Sequence, residues 1–357
     1  MSLHFHTLKI KEVRQETNDC VSVAFHIPEQ LKQSFQFTQG QNITVRSFIN
    51  QEEVRRSYSL CSSPLDNDFR VAIKKVQEGL FSTFANEQLK AGDELEVMPP
   101  IGKFYTELKT GNKKNYVAFA AGSGITPLLS IIKTTLLTEP DSNFTLVYGN
   151  KNRGSIIFKE TLEALKNKYL SRFQLIHILS RERTDAAINF GRIDAAKCEA
   201  LFARAVDINA DEFFVCGPEE MIFAVNDFLE SKGIDKKKIH FELFTTTKGK
   251  QQKTATTHSV DSVAQSNITI KVDGRSFDFN LPFNGSNILD AALQQGADLP
   301  YACKGGVCCT CKAKLIEGEV DMDVCWGLEH EEIEQGFILT CQSHPKSDKI
   351  IVDFDIK

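Results

Sequence analysis

The chain has 357 residues, is 41% hydrophobic and 25% charged, and carries a formal net charge of −5. Such a length calls for two or three domains of an ordinary folded protein, and the acidic balance argues against nucleic acid as a partner. No apolar run is long enough for a bilayer and no signal-peptide core is visible, so no membrane partner and a reducing, cytoplasmic location for its ten cysteines are expected.

Taken in chain order, short alternating runs at 21–27, 41–45, 69–73 and 94–97 are separated by turns rich in Gly, Pro, Asn and Asp, which predicts an antiparallel β-barrel. Residues 55–60 fall on one of its strands and bring together an Arg, an aromatic and a hydroxyl. That set could serve a phosphate, a flat ring and a ring heteroatom, although such a stretch by itself is more often an ordinary half-buried strand. From 115 to 244 apolar strands at 116–121, 144–148, 173–179 and 212–216 alternate with helical stretches opening at Pro127 and Glu219. This order predicts a doubly wound parallel sheet.

Gly122, Gly124, Thr126 and Pro127 sit between the first of these strands and its helix. Glycines there let the backbone approach a pyrophosphate, and the helix N-terminus offers amides and a positive dipole. The ordinary dinucleotide fingerprint nevertheless fails, because Pro127 replaces its third glycine and the acidic residue about twenty positions on is missing. Ser180 and Arg181 follow the strand at 176–179, where a hydroxyl and a guanidinium suit the extra phosphate of NADPH; a solvated turn is the plain alternative. Cys216, Gly217 and Pro218 close another strand, at the edge where open α/β sheets place ligands.

The stretch 246–266 is rich in Thr, Gln, Lys and Ser and reads as a flexible linker. Beyond it, a hairpin turning at Asp273 and Gly274, a short helix near 286–295 and a strand at 350–354 make a small mixed β/α domain. Residues 267–357 hold 8 Lys/Arg against 15 Asp/Glu, a balance of −7, which leaves +2 for the rest. An acidic module of this kind suits docking on a basic surface, or is merely well solvated.

That module contains Cys303, Cys308, Cys311 and Cys341, spaced C-x4-C-x2-C with a distant fourth cysteine. The spacing is the plant-type pattern for a [2Fe–2S] cluster, and soft thiolates select such centres over hard cations. A zinc ribbon needs two CxxC pairs where this chain has one, and a disulfide framework does not suit a long chain without an export signal. Cys309 lies between two of the four and could in principle swap with a neighbour as ligand.

These pieces together resemble the ferredoxin–NADP reductase superfamily, with a plant-type ferredoxin fused at the C-terminus, over nearly the whole chain. The resemblance implies a multi-domain α+β protein. Its parts are an FAD-binding β-barrel at 1–110, a doubly wound NAD(P)-binding domain at 111–245, and a β-grasp ferredoxin at 267–357. It implies that Arg56 binds the FAD pyrophosphate, Tyr58 lies against the isoalloxazine, and Ser59 hydrogen-bonds near its hydride-accepting nitrogen. Gly79, Ser82 and Thr83 match a second phosphate-binding turn. Gly122, Gly124, Thr126 and Pro127 match the nicotinamide-nucleotide turn, and the superfamily's NADPH users resemble this chain at Ser180 and Arg181. Cys216, Gly217 and Pro218 match the place where nicotinamide meets flavin, with Glu242 and Phe244 beside it.

Catalytic parts are thus expected for Ser59, Glu242 and Cys216, the last as a positioning group. The implied activity passes electrons from NADPH through FAD and a [2Fe–2S] cluster to a separate oxygenase, expected to be a di-iron enzyme acting on an aromatic coenzyme A thioester. The alternatives are an NADH-dependent reductase serving a ring dioxygenase or other monooxygenase, and a redox-sensing binding protein. The chain has no Glu-x-x-His pair set of the di-iron kind, so any oxygenase is a separate protein.

Overall fold

Strand-rich and helix-rich segments separate along the chain in the structure, a computed structural model that describes residues 4–244 and 264–356. Phe5–Phe244 forms one compact unit and the described residues beyond it form another. Most of the expected linker, its residues 246–263, lies outside the described residues.

The first unit begins with β1 (His6–Thr17), β2 (Cys20–His26), β3 (Asn42–Ile49), β4 (Glu52–Ser59), β5 (Arg70–Lys74), α1 (Leu80–Glu87) and β6 (Glu94–Val97). The strands pair antiparallel in the order β4-β3-β6-β1-β2-β5, and a bridge from Leu60 to Val71 draws the outer strands together. Leu8, Val23, Ile43, Val45, Leu60, Val71 and Val97 fill the interior without solvent exposure. Strand β1 is absent from the sequence-based expectation. Its register with β2 slips at Ile10/Glu12 and again at Gln15/Thr17, so no clean alternation survives to announce it.

The same unit continues with β7 (Asn115–Ala121), α2 (Ile125–Thr138), β8 (Asn143–Asn150), α3 (Lys159–Lys168), β9 (Phe173–Leu179), α4 (Ala195–Phe202), β10 (Glu212–Gly217), α5 (Glu219–Ser231) and β11 (Ile239–Leu243). The five strands are parallel, in the order β11-β10-β7-β8-β9. Strand order reverses between β7 and β10, so a crevice opens beyond their carboxyl ends. Helix α2 starts at Ile125, two residues before the expected Pro127, which takes a first-turn position where its missing N–H costs nothing.

Barrel and parallel sheet meet along a polar seam. Ser130 Oγ donates to Ser62 O at 2.6 Å, Ser63 and Thr134 hydroxyls lie 2.9 Å apart, and Lys133 pairs with Asp66. Nearby, the fully buried Glu139 carboxylate accepts from Tyr116 Oη, Ser142 Oγ, Asn112 Nδ2 and the Lys109 amide. That carboxylate ties the connector between the halves to the end of α2.

The second unit comprises β12 (Gln265–Val272), β13 (Arg275–Pro282), α6 (Ile288–Gln294), β14 (Lys312–Glu317), β15 (Val320–Met322), α7 (His330–Glu334), β16 (Phe337–Leu339), β17 (Ser343–Pro345) and β18 (Lys349–Asp353). Its main sheet runs β13-β12-β18-β14-β16, with β12 and β18 parallel and α6 burying Ile288, Leu289 and Ala292. Gln265 and Ser266, read from sequence as the end of the linker, are strand residues instead. Both pair with β13, and Ser266 is buried, so the hydrogen-bond ladder overrides their linker-like composition.

Candidate active site and cluster centre

At the switch point the turn after β7 is pressed onto the end of β10. A Cβ on Gly124 would stand 2.0 Å from Cys216 O and 2.8 Å from Gly217 N, so no side chain fits. Gly122 takes φ +54°, a left-handed value that suits glycine, and its carbonyl accepts from Tyr148 Oη at 2.9 Å. Thr126 Oγ1 donates back to Ser123 O at 3.0 Å, and Pro218 is the N-cap of α5. Gly124→Ala must lift the turn off β10. Overpacking of this kind costs roughly 1–3 kcal/mol, so we expect a lowered Tm and an approximately tenfold weaker nicotinamide-nucleotide KM, read by thermal melting and steady-state kinetics.

Ser59, Glu242 and Cys216 converge beside this turn. Cys216 on β10 sits in register with Glu242 on β11 and with Ala120 on β7. Ser59, at the end of β4, donates through Oγ to Glu242 Oε2 at 3.0 Å, joining residues 183 positions apart. Burial pushes the Glu242 carboxyl up to about 7, against the lowering effect of the Ser59 hydrogen bond. Burial, then the Glu242 charge, holds the Cys216 thiol well above its usual range, so it stays protonated and is no nucleophile. Phe244 packs against the apolar cluster holding Phe104, Phe214 and Cys216.

On the barrel side Tyr58 is half-buried, with its ring 5.7 Å from Phe81 at 36°, and burial keeps its phenol protonated. Arg56 is exposed on the same strand, one Nη donating to Arg55 O at 2.7 Å. Gly79 precedes α1 at a point where a Cβ would lie 2.4 Å from Ser82 Oγ, and Thr83 N closes the first turn on Gly79 O at 2.9 Å. No sequence motif marks Lys74. Its Nζ lies 3.9 Å from where a Cβ on Gly122 would stand, and 3.7 Å from Asp19. Only the barrel's pairing brings this cation to the glycine turn, so no local motif announces it.

Ser180 and Arg181 stand apart from that convergence, beyond the end of β9. Their amides donate to Asn150 O and Lys151 O at 2.9 and 2.8 Å, which fixes both at the carboxyl edge of the sheet. Arg181 is exposed, while neighbouring Glu182 is engaged by Arg153 at 2.7 Å.

In the second unit the four expected cysteines form two thiol pairs, Cys303 with Cys308 and Cys311 with Cys341. The described residues contain no group of three or more Cys, His, Asp or Glu arranged as a metal site. The Cys308 thiol, helped by loop amides, lowers the Cys303 thiol to about 6 despite its burial. Gly305 N points at Cys303 Sγ from 3.3 Å and Cys303 N at Cys308 Sγ from 3.5 Å. Lys304, Gly306 and Cys309 all take positive φ, 51°, 73° and 56°, which wraps the loop and turns its amides inward. Cys309 Sγ instead reaches Gly327 O. Thiols in pairs, with amides aimed at sulfur, fit a binuclear iron–sulfur centre.

A barrel, a parallel sheet with a glycine turn at its switch point, and a four-cysteine module define a flavin- and iron–sulfur-dependent reductase. The family models agree segment by segment. Residues 7–105 match an oxidoreductase FAD-binding domain, 119–227 an oxidoreductase NAD-binding domain, and 270–346 a 2Fe-2S iron-sulfur cluster binding domain. The chain belongs to the family of ferredoxin–NADP reductase-type reductase components of multi-component oxygenases.

Among its relatives, one component of the 1,2-phenylacetyl-CoA epoxidase of Escherichia coli (strain K12) is 42% identical over 99% of this chain and 98% of its own length. The ferredoxin reductase component of 3-ketosteroid-9-alpha-monooxygenase from Rhodococcus rhodochrous is 32% identical over 97% and 96%. Phthalate dioxygenase reductase shares the fold at TM-score 0.58 and 23% identity, covering 98% of both chains. An intact type IV self-sufficient cytochrome P450 monooxygenase does so at 0.68 and 20%, covering 98% of this chain and 41% of that one.

The cofactors of this reductase are therefore FAD, a nicotinamide nucleotide and a [2Fe–2S] cluster, and its electrons go to a separate oxygenase component. No helix among the described residues is long and apolar enough to cross a membrane.

Proposed function

We propose that the chain takes its electrons from NADPH and supplies them to a di-iron oxygenase that epoxidises phenylacetyl-coenzyme A. When bound, FAD splits a two-electron donor into single electrons, which a [2Fe–2S] cluster carries one at a time. In this reading Arg56 binds the flavin pyrophosphate, with Gly79, Ser82 and Thr83 as a second phosphate turn, and Tyr58 lies along the ring. Gly122, Gly124, Thr126, Pro127, Gly217 and Pro218 receive the nicotinamide nucleotide. Cys303 with Cys308, and Cys311 with Cys341, each hold one iron.

The observation that carries the reading is the Ser59–Glu242 hydrogen bond beside Cys216, which brings barrel and parallel sheet together at one point. Glu242 keeps a proton available near neutral pH, and Ser59, hydrogen-bonded to it, would link it to the flavin edge. Cys216 would serve as a positioning group behind the nicotinamide, with its thiol held protonated by burial. The 42% identical Escherichia coli protein supports phenylacetyl-coenzyme A as the substrate of the partner.

Ser180 and Arg181 support NADPH, since a guanidinium clamps a phosphate that NADH lacks. Losing such a charge-assisted contact costs about 1.5–3 kcal/mol, so Arg181→Ala should lose roughly 10–100-fold in kcat/KM for NADPH and little for NADH. A variant that discriminates between the two as well as wild type sinks the assignment. The partner is tested by adding the purified protein and NADPH to the catalytic components of a phenylacetyl-coenzyme A epoxidase. Epoxide formation supports the reading, and its absence with an otherwise active reductase rejects that acceptor.

A further inference from the structure

Arg181 has a carboxylate for a neighbour. Glu182 follows it directly in the chain, and a free acid there would compete for the guanidinium and repel any phosphate brought to it. The structure gives that acid another partner. Arg153 Nη1 donates to Glu182 Oε1 at 2.7 Å, and the Arg153 amide donates to Glu182 Oε2 at 2.8 Å. Both carboxylate oxygens are thus engaged by one residue, 29 positions away in the chain.

The segment that carries Arg153 is built to hold it there. Asn152 and Ser155 close a reciprocal capping box around the short turn Arg153–Ser155, with Asn152 N donating to Ser155 Oγ at 3.1 Å. Alongside, the Ser180 and Arg181 amides bond to Asn150 O and Lys151 O, so the two strand ends are fixed against each other. The Arg153 side chain is 64% exposed, and ion pairs that open to water add little to the stability of a fold. The consequence of this pair lies instead in the charge it removes from beside Arg181.

We propose that Arg153 is a positioning residue that sets nucleotide specificity through Glu182. By neutralising the acid that adjoins Arg181, it leaves that guanidinium available to the 2′-phosphate of a phosphorylated adenosine. The proposal rests on the NADPH reading and adds the residue that lets Arg181 act.

The probes are 2′,5′-ADP and 5′-AMP, which differ by the phosphate at issue. Their binding to the oxidised holoprotein is measured by calorimetry at low and high salt, alongside kcat/KM for NADPH and NADH with ferricyanide as acceptor. Local charge changes the association of a charged ligand by roughly 10-fold or more. Arg153→Ala should therefore weaken 2′,5′-ADP by about 10-fold at low salt and leave 5′-AMP nearly unchanged. The loss should shrink at high salt, where the freed carboxylate is screened. NADPH turnover should fall in parallel with 2′,5′-ADP binding, and NADH turnover should not. Adding Glu182→Gln to Arg153→Ala should restore wild-type discrimination. The control Arg153→Ala/Glu94→Gln restores the same net charge at an exposed site on β6, and should stay impaired.

Failure of Glu182→Gln to rescue would mean that Arg153 meets the phosphate itself, and would overturn the proposal. Equal losses with both probes, the mark of a merely structural role, would do the same. Arg181→Ala separates this proposal from the reading beneath it. Should Arg181→Ala discriminate between the probes as well as wild type, the NADPH reading falls and the proposal with it. Should it lose discrimination while Arg153→Ala keeps it, the proposal alone falls.

Discussion

Cys308→Ser is expected to abolish the iron–sulfur chromophore and its reduced paramagnetic signal while leaving the flavin in place. Cytochrome c reduction should fall by more than roughly 100-fold, since even outer-shell partners of a metal ligand are worth about 10–100-fold. Ferricyanide, a small acceptor that does not require the cluster, should still be reduced. The two sites are separable because the four thiols stand in the second unit, whereas Ser59, Cys216 and Glu242 belong to the first. Cys309→Ser is the matched control. Its sulfur reaches Gly327 O, so its cluster should persist. Loss of the chromophore in Cys309→Ser with retention in Cys308→Ser would reverse the ligand assignment.

Ser59→Ala is expected to slow NADPH-driven flavin reduction by about 100-fold, the lower end of what a positioned proton-transfer group contributes. Its pH signature is more telling than its size. Glu242 titrates near 7 in the folded protein against an ordinary value of 4.5, so wild-type reduction should decline as pH rises through about 7. Because the Ser59 hydrogen bond lowers that value, Ser59→Ala should move the inflection upward, and Glu242→Gln should flatten the profile. Stability carries the same sign. Between about pH 4.5 and 7 the folded state binds more protons at this carboxyl than the unfolded state does, so its contribution falls as pH rises through that window and is level above it. Stopped-flow flavin bleaching from about pH 5.5 to 8.5 measures the kinetic part. An unchanged rate and inflection in Ser59→Ala would remove both residues from the reaction.

The cysteine loop was legible because its chemistry is local. Four ligands at fixed spacing are written into thirty-nine residues, from Cys303 to Cys341. The pairing of those thiols was not, since spacing does not say which cysteine the distant Cys341 meets; the return of β16 alongside β14 decides that. The parallel sheet could be read from its apolar strands, and β9 and β10 lie within a residue of expectation. Helices α3 and α4 escaped notice; α3 begins after Phe158 at φ +59°, a start that no N-cap residue signals.

The site around Glu242 shows the limit most clearly. Family resemblance pointed to Glu242 and Ser59 separately, but their contact spans 183 positions and exists only because two sheets pack together. Lys74 is the same case without a motif to help, since its place beside Gly122 comes from the pairing of β5 in the barrel.

The most direct measurement is an anaerobic titration of the purified protein with NADPH, followed by visible absorption and electron paramagnetic resonance. An electron path from NADPH through flavin to a [2Fe–2S] cluster predicts uptake of about three electrons per chain, two by flavin and one by the cluster, with a rhombic signal from the reduced cluster. Flavin bleaching without that signal would contradict the path at the four cysteines. A protein that NADPH leaves fully oxidised would contradict it at the nucleotide site.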